Sequence, residues 1–166
     1  MNPKGKLYKL LNTLPQTGKV SWIGIRPARN IEMTALTSVD IEVGKGLVGD
    51  RYAGIHESTR QVTLIQQEHL DVIGACLAED SIIPERLRRN IVVCGINLLA
   101  LKDKQFRVGG CELEMTGLCH PCSKMETELG AGGYNAMRGH GGITARVLQG
   151  ATILIGDPVC FLSPDR

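Results

Sequence analysis

Aromatic side chains are scarce in this chain: one Trp, three Tyr and two Phe in 166 residues, or 4%. A core without large rings has to be filled by aliphatic side chains on closely spaced elements. Charge of one sign is missing too. Nineteen Lys and Arg against 17 Asp and Glu leave a net charge of +2, which gives no electrostatic case for nucleic acid or an acidic membrane surface. No apolar run approaches the length of a membrane span. Residues 1–11 are short, basic and polar, without the apolar stretch of a signal peptide, so a reducing cytoplasm is the expected compartment.

What is abundant is glycine, at 20 residues, together with short apolar runs. That balance fits many tight turns better than a helical bundle. Residues 1–19 are poorly patterned and read as a lead-in, with Leu7, Leu10, Leu11 and Leu14 spaced for a short helix. Residues 20–166 form one domain. Strands are expected at 20–26, at 38–43 with Val39, Ile41 and Val43 on one face, at 47–48, at 61–65 and at 90–94. A hairpin is expected at 106–115 across Gly109-Gly110, and further strands at 143–147, 152–155 and 159–162, although 144–149 fits a helix equally well. Helices are expected at 66–77, at 84–88 behind Pro84, and at 124–129, stopped by Gly130. The sum is mainly β with short helices, a mixed but mostly antiparallel barrel or curled sheet.

The most informative stretch is Thr116-Gly117-Leu118-Cys119-His120-Pro121-Cys122-Ser123-Lys124-Met125-Glu126. Ser123 and Glu126 have the spacing of a capping box, which puts Cys122 immediately before a helix start. Free backbone N–H groups and the helix dipole favour a thiolate there, with His120 and Lys124 adding positive charge. Cys122, rather than Cys119, is the expected reactive thiol. Cys119-x-x-Cys122 also matches a redox pair, half of a zinc site completed by Cys111 and His120, or an inert buried pair, and the spacing alone leaves these open. Cys76, Cys94 and Cys160 lie in apolar contexts and read as core residues, while Cys111 shares a face with Leu113 and Met115.

Arg60, Arg86, Arg88, Arg89 with Asn90, Arg138, His140 and Arg146 adjoin strand ends or Gly-rich turns. Collectively they suit an anion, because Arg forks match oxyanions. The pairs Gly132-Gly133 and Gly141-Gly142 read either as turns or as places where backbone approaches a ligand closely. Gly49-Asp50 and Gly156-Asp157 read as turn structures rather than catalytic carboxylates.

The order Gly46-Leu47-Val48-Gly49-Asp50-Arg51, Arg60-Gln61-Val62-Thr63-Leu64-Ile65, Arg89-Asn90-Ile91, the Pro121-Cys122 stretch, Gly142-Ile143-Thr144-Ala145-Arg146-Val147 and Gly156-Asp157 resembles the MOSC domain, named after the C-terminal region of molybdenum cofactor sulfurases. The likeness runs from about residue 20 to the end and is that of a small stand-alone bacterial-type member. It implies a β-barrel that holds a molybdopterin-type molybdenum cofactor. The family's single cysteine maps onto Cys122, as a thiolate ligand of molybdenum or a persulfide-bearing sulfur carrier. Arg60, Arg89, Asn90, Cys119, His120, Arg138, His140 and Arg146 are the expected cofactor-binding set. Some relatives reduce N-hydroxylated compounds with a flavin or iron–sulfur electron donor, so an electron-donor protein or a sulfur donor is an implied partner. The segment Ile55-His56-Glu57-Ser58-Thr59 departs from the His-rich Gly-Gly segment of many relatives, which leaves no family role for His56. A molybdenum oxidoreductase, a non-catalytic carrier and a zinc or redox thiol protein without molybdenum are the three functional readings.

Overall fold

The computed structural model describes residues 5–52, 54 and 58–163; His56 lies outside them. The strands are β1 (Gly18–Ile25), β2 (Thr34–Leu36), β3 (Ser38–Glu42), β4 (Gly46–Leu47), β5 (Val62–Gln66), β6 (Ile91–Cys94), β7 (Gln105–Val108), β8 (Cys111–Leu118), β9 (Ile143–Gln149), β10 (Ala151–Leu154) and β11 (Pro158–Phe161). The α-helices are α1 (Lys6–Leu11), α2 (Gln67–Cys76), α3 (Pro84–Leu87), α4 (Ser123–Leu129) and α5 (Gly133–Ala136), with a 3-10 turn at Leu98–Leu101. Among the described residues no helix is long and apolar enough to cross a membrane.

Seven strands close into a mixed barrel in the order β11-β7-β8-β9-β5-β6-β1, sealed where Gly18 and Lys19 pair with Val159 and Pro158. β2 extends the sheet beyond β1, and β10-β3-β4 form a separate small sheet. The β5–β6 pair is parallel. A parallel pair needs a crossover, and α2 and α3 supply it. The hairpin at Gly109-Gly110 forms as the sequence implies, with Val108 opposite Cys111. Residues 144–149 are strand, because Ala145 and Val147 are inward partners of Met115 and Leu113 on β8.

Two cores result. One fills the barrel, with Ile23, Leu64, Ile91, Phe106, Leu113 and Ile143 all fully buried. The other lies outside it, where Ile65 and Val92 on the reverse face of β5 and β6 meet Leu70 and Ile73 of α2, Leu87 of α3, and Met125 and Leu129 of α4. Each such aliphatic contributes about 1.5–3 kcal/mol by leaving water. This second core seats α4, and with it the start that carries Cys122.

Three expectations are corrected. Val43 is exposed, because β3 ends at Glu42 and the chain turns at Gly44, where φ is +78°. Cys76 is exposed and Cys94 and Cys160 are only partly buried; these three are not core residues, unlike the buried Cys111. The capping box does not form. Cys122 itself is the N-cap of α4, and no side-chain cap bond is made. Glu126 turns instead to the far end of the helix and accepts the Gly132 and Tyr134 N–H groups, both at 2.8 Å. A loop with two free N–H groups competes for the carboxylate, and spacing alone does not reveal that.

Candidate functional site: a thiol beside a cationic cleft

The end of β8, the start of α4, the Gly139–Gly142 turn and the α3–β6 junction meet at one end of the barrel. Arg89 joins them. It is 7% exposed, and its Nε donates to the Gly141 carbonyl (2.7 Å), Nη1 to the Leu87 carbonyl (2.9 Å) and Nη2 to the Cys119 carbonyl (3.2 Å). No carboxylate pairs with it among the described residues. Burial pulls the guanidinium below its usual value; the Cys119 and Cys122 sulfurs push it back up, while Arg60 and Arg88 lower it further. One buried cation is thus in electrostatic contact with both cysteines and two more arginines.

Gly141 and Gly142 are small for a structural reason. A Cβ on Gly141 would run into the Cys119 carbonyl oxygen, and one on Gly142 into that of Leu64. These glycines allow protein backbone, rather than a ligand, to come close. The Cys119 N–H completes the junction by donating to the Gly142 carbonyl at 2.9 Å.

Arg88 is the C-cap of α3 and has φ +60°, ψ 32°, a left-handed conformation that non-glycine residues seldom adopt. The reversal turns Arg88 to the surface while Arg89 goes inward. There Arg88 lines both lobes of a cleft. The larger lobe, of about 840 Å³, also takes in Ile31, Ile83, Lys124 and Thr127. The smaller, of about 160 Å³, includes Asp50, Tyr52, Arg60 and Asn90. Arg26 and Met33 line both.

The smaller lobe contains the least satisfied polar atoms of the region. Arg26 Nε and Nη1 and Tyr52 Oη are buried without a hydrogen-bond partner. Buried donors are normally paired, so a cluster of unpaired ones needs an explanation. Their positions are fixed by backbone: the Arg26 N–H donates to Asp50 Oδ1 at 2.7 Å, the Tyr52 N–H to Asp50 Oδ2 at 3.1 Å, and the Arg51 N–H to the Arg26 carbonyl at 2.8 Å. Gly49-Asp50 is therefore the turn structure expected. Half-burial raises the Asp50 carboxyl above its usual value, against the pull of these N–H groups.

Arg60, Arg89, Asn90, Cys119 and Cys122 share this neighbourhood, but their states differ. Cys122 and His120 are exposed and Cys119 is buried. Asn90 is occupied: its Oδ1 accepts the Thr63 N–H (3.1 Å) and hydroxyl (2.8 Å), which ties β6 to β5. Arg146 is ion-paired with Glu114 across β9 and β8. Arg138 is exposed on the turn after α5. Among the described residues no hydrogen bond or ion pair joins Arg138 or Arg146 to the cleft. His140 lies edge-to-face against His69 of α2, ring centroids 5.1 Å apart. No three His, Cys, Asp or Glu side chains converge on a metal position among the described residues, so the zinc site weighed for Cys111, Cys119, His120 and Cys122 is not assembled. Burial pushes the Cys111 thiol up to about 12, which makes it a poor ligand and a poor nucleophile.

Sequence reasoning missed Arg26, Tyr52 and His69. A signal existed for the first two. Arg26 is the first charged residue after an apolar strand and precedes Pro27, and Tyr52 is one of only three tyrosines.

The MOSC domain sequence profile matches residues 42–160. No curated protein sequence matches. The fold is similar to that of the YuaD protein from Bacillus subtilis, with a TM-score of 0.74 at 21% identity over 86% of this chain and 94% of that one. It is similar as well to YiiM from Geobacillus stearothermophilus (TM-score 0.70, 14% identity, 87% and 75% covered) and to YiiM from Escherichia coli (0.67, 15%, 87% and 70%). With a profile match over most of its length and the barrel to go with it, this chain belongs to the MOSC domain family.

Proposed function

We propose that this protein binds a molybdopterin-type molybdenum cofactor in the two-lobed cleft, with Cys122 as the protein's thiolate ligand to molybdenum. The observation that carries the reading is the set of unpaired donors, Arg26 Nε and Nη1 and Tyr52 Oη, in a lobe also lined by Arg60 and Arg88. Acceptor oxygens on an anionic ligand would satisfy all of them, and Arg matches a phosphate with two parallel bonds. The residues fit such a cofactor in size as well: the larger lobe is roomy, and Lys124, two residues beyond Cys122, lines it.

The chain's own contributions are separable. Arg26, Arg60, Arg88 and Tyr52 hold the anionic end. Arg89 fixes the Cys119–Cys122 loop through the Cys119 carbonyl without needing to touch the ligand. Cys122, exposed at the start of α4, offers a soft sulfur. A bound molybdenum centre would supply the two-electron reduction of an N-hydroxylated compound. A flavin or iron–sulfur donor protein would then deliver the electrons. A second reading, a sulfur carrier with a persulfide on Cys122, is favoured by the exposure of that thiol.

X-ray absorption on protein from a molybdenum-replete host, as wild type and as Cys122→Ser, tests the first reading. Molybdenum with one protein sulfur is expected in the wild type, and one sulfur fewer in the variant. An unchanged sulfur count removes Cys122 from the metal. A mass gain of about 32 Da on Cys122, one sulfur atom, would then put the carrier ahead.

A further inference from the structure

Outside the cleft, the feature that the proposed function leaves unused is the pair of histidines joining α2 to the Gly-rich turn. His69 and His140 meet at 5.1 Å between centroids with their planes 74° apart. The Nδ1 atoms of both are buried and have no hydrogen-bond partner. His140 immediately precedes Gly141, whose carbonyl holds Arg89 Nε at 2.7 Å, and Gly142, whose carbonyl holds the Cys119 N–H at 2.9 Å. His140 therefore sits one and two residues from the carbonyls of the two bonds that anchor the cysteine loop.

We propose that His69 and His140 are a pH-responsive positioning pair: while both rings are uncharged they clamp the 139–142 turn, and protonation loosens that turn and with it the Cys119–Cys122 loop. Two imidazolium rings at this distance repel, and a buried Nδ1–H without an acceptor carries a desolvation cost. The neighbouring carboxylate offsets this only in part. Glu68, beside His69 on α2, is already accepting the Gly95 N–H at 2.8 Å. Asp71, also on α2, accepts the Ser81 hydroxyl. Arg138, two residues before His140, and Arg89, which donates to the Gly141 carbonyl, are the cations on the turn and against it. Burial, and then the charge of His140, hold the His69 imidazole below its usual value, against the opposite pulls of the Glu68 charge and of a hydrogen bond to the His140 backbone. The sign follows. An unfolded or opened His69 takes up its proton first, so the clamp is at full strength above the ordinary imidazole range, about pH 6.5. It weakens as pH falls through that range. Nothing here depends on molybdenum.

Hydrogen–deuterium exchange at about pH 7.5 and about pH 5.5, corrected for intrinsic rates, tests it on the cofactor-free full chain. The Cys119 and His140 amides should lose protection severalfold at the lower pH, because the opened state takes up a proton that the closed state disfavours. Amides of the β7–β8 hairpin, such as Phe106, should hold theirs. His69→Phe keeps an aromatic ring without a charge and should reduce the loss to less than about twofold; His69→Gln serves the same comparison if that variant fails to fold. Unchanged protection in the wild type overturns the proposal, as does an equal loss in the variant or a loss spread evenly over the barrel.

Discussion

Replacing Arg89 by Lys keeps the charge and removes the fork. Three backbone carbonyls, those of Leu87, Cys119 and Gly141, accept from three different nitrogens of Arg89 in a site that is 7% exposed. A single ammonium reaches one of these carbonyls, so two lose a charged donor. At about 1–3 kcal/mol for each buried group left unsatisfied, the cost is roughly 2–6 kcal/mol. That is a large part of the ~5–15 kcal/mol that holds a domain together. Urea unfolding at neutral pH measures it as a lowered midpoint at constant slope, and in a melt each kcal/mol is worth about 2–4 °C for a chain of this size. Arg146→Lys is the comparison. Its ion pair with Glu114 is partly exposed, with side chains 39% and 31% accessible, and should cost less than about 1 kcal/mol. If Arg89→Lys also costs less than about 1 kcal/mol, the three carbonyls do not depend on the fork and Arg89 is not the tie between α3, β8 and the Gly-rich turn.

The remaining predictions concern the same end of the barrel. The Glu126 carboxyl is held below its usual value by the Tyr134 N–H first and the Gly132 N–H second. The contribution of a depressed carboxyl is present above the ordinary value of 4.5 and lost as pH falls through the folded one. Glu126→Gln should therefore speed exchange of the Gly132 and Tyr134 amides at neutral pH and abolish the further gain the wild type shows on acidification. Gly142→Ala should cost more than Gly130→Ala, although φ is +84° and +85° respectively. The first variant meets the Leu64 carbonyl and the second meets nothing within 4 Å, so backbone strain alone, about 1–3 kcal/mol, applies at Gly130, where ψ is −174°. Equal urea midpoints for the two would mean that the Gly142–Leu64 approach is not tight.

Much of the barrel is legible in the sequence because period-two alternation is a direct consequence of one buried face. Cys111, Leu113 and Met115 are all buried on β8, opposite an exposed or half-exposed Glu112 and Glu114. Val43 breaks the rule because alternation says which face a side chain takes while the strand lasts, not where it ends. Cys76, Cys94 and Cys160 break it for another reason. Cysteine is apolar enough to look like core in any apolar neighbourhood, and only the packing of α2, β6 and β11 decides how much of each thiol is covered.

The candidate site is less legible, and arginine shows why. A guanidinium is the same five donors whether it holds a ligand or its own backbone, and sequence does not say which. Arg89, Arg138 and Arg146 stand in motif positions as good as any. Yet Arg89 is spent on three carbonyls and Arg146 is paired with Glu114 with only its Nε left buried and unpaired, while Arg26, outside the residues that match the family profile, keeps two unpaired nitrogens. What separates them is long-range pairing: Arg26 is brought to Tyr52 by bonds to Asp50 and Arg51, some 25 residues away, across a stretch that holds β2, β3 and β4. The helix start at Cys122 is legible from its immediate neighbours, although Cys122 itself caps that helix and the Ser123–Glu126 box does not. Local sequence therefore places a cysteine at a helix start, and tertiary structure decides which arginine nitrogens are left without partners.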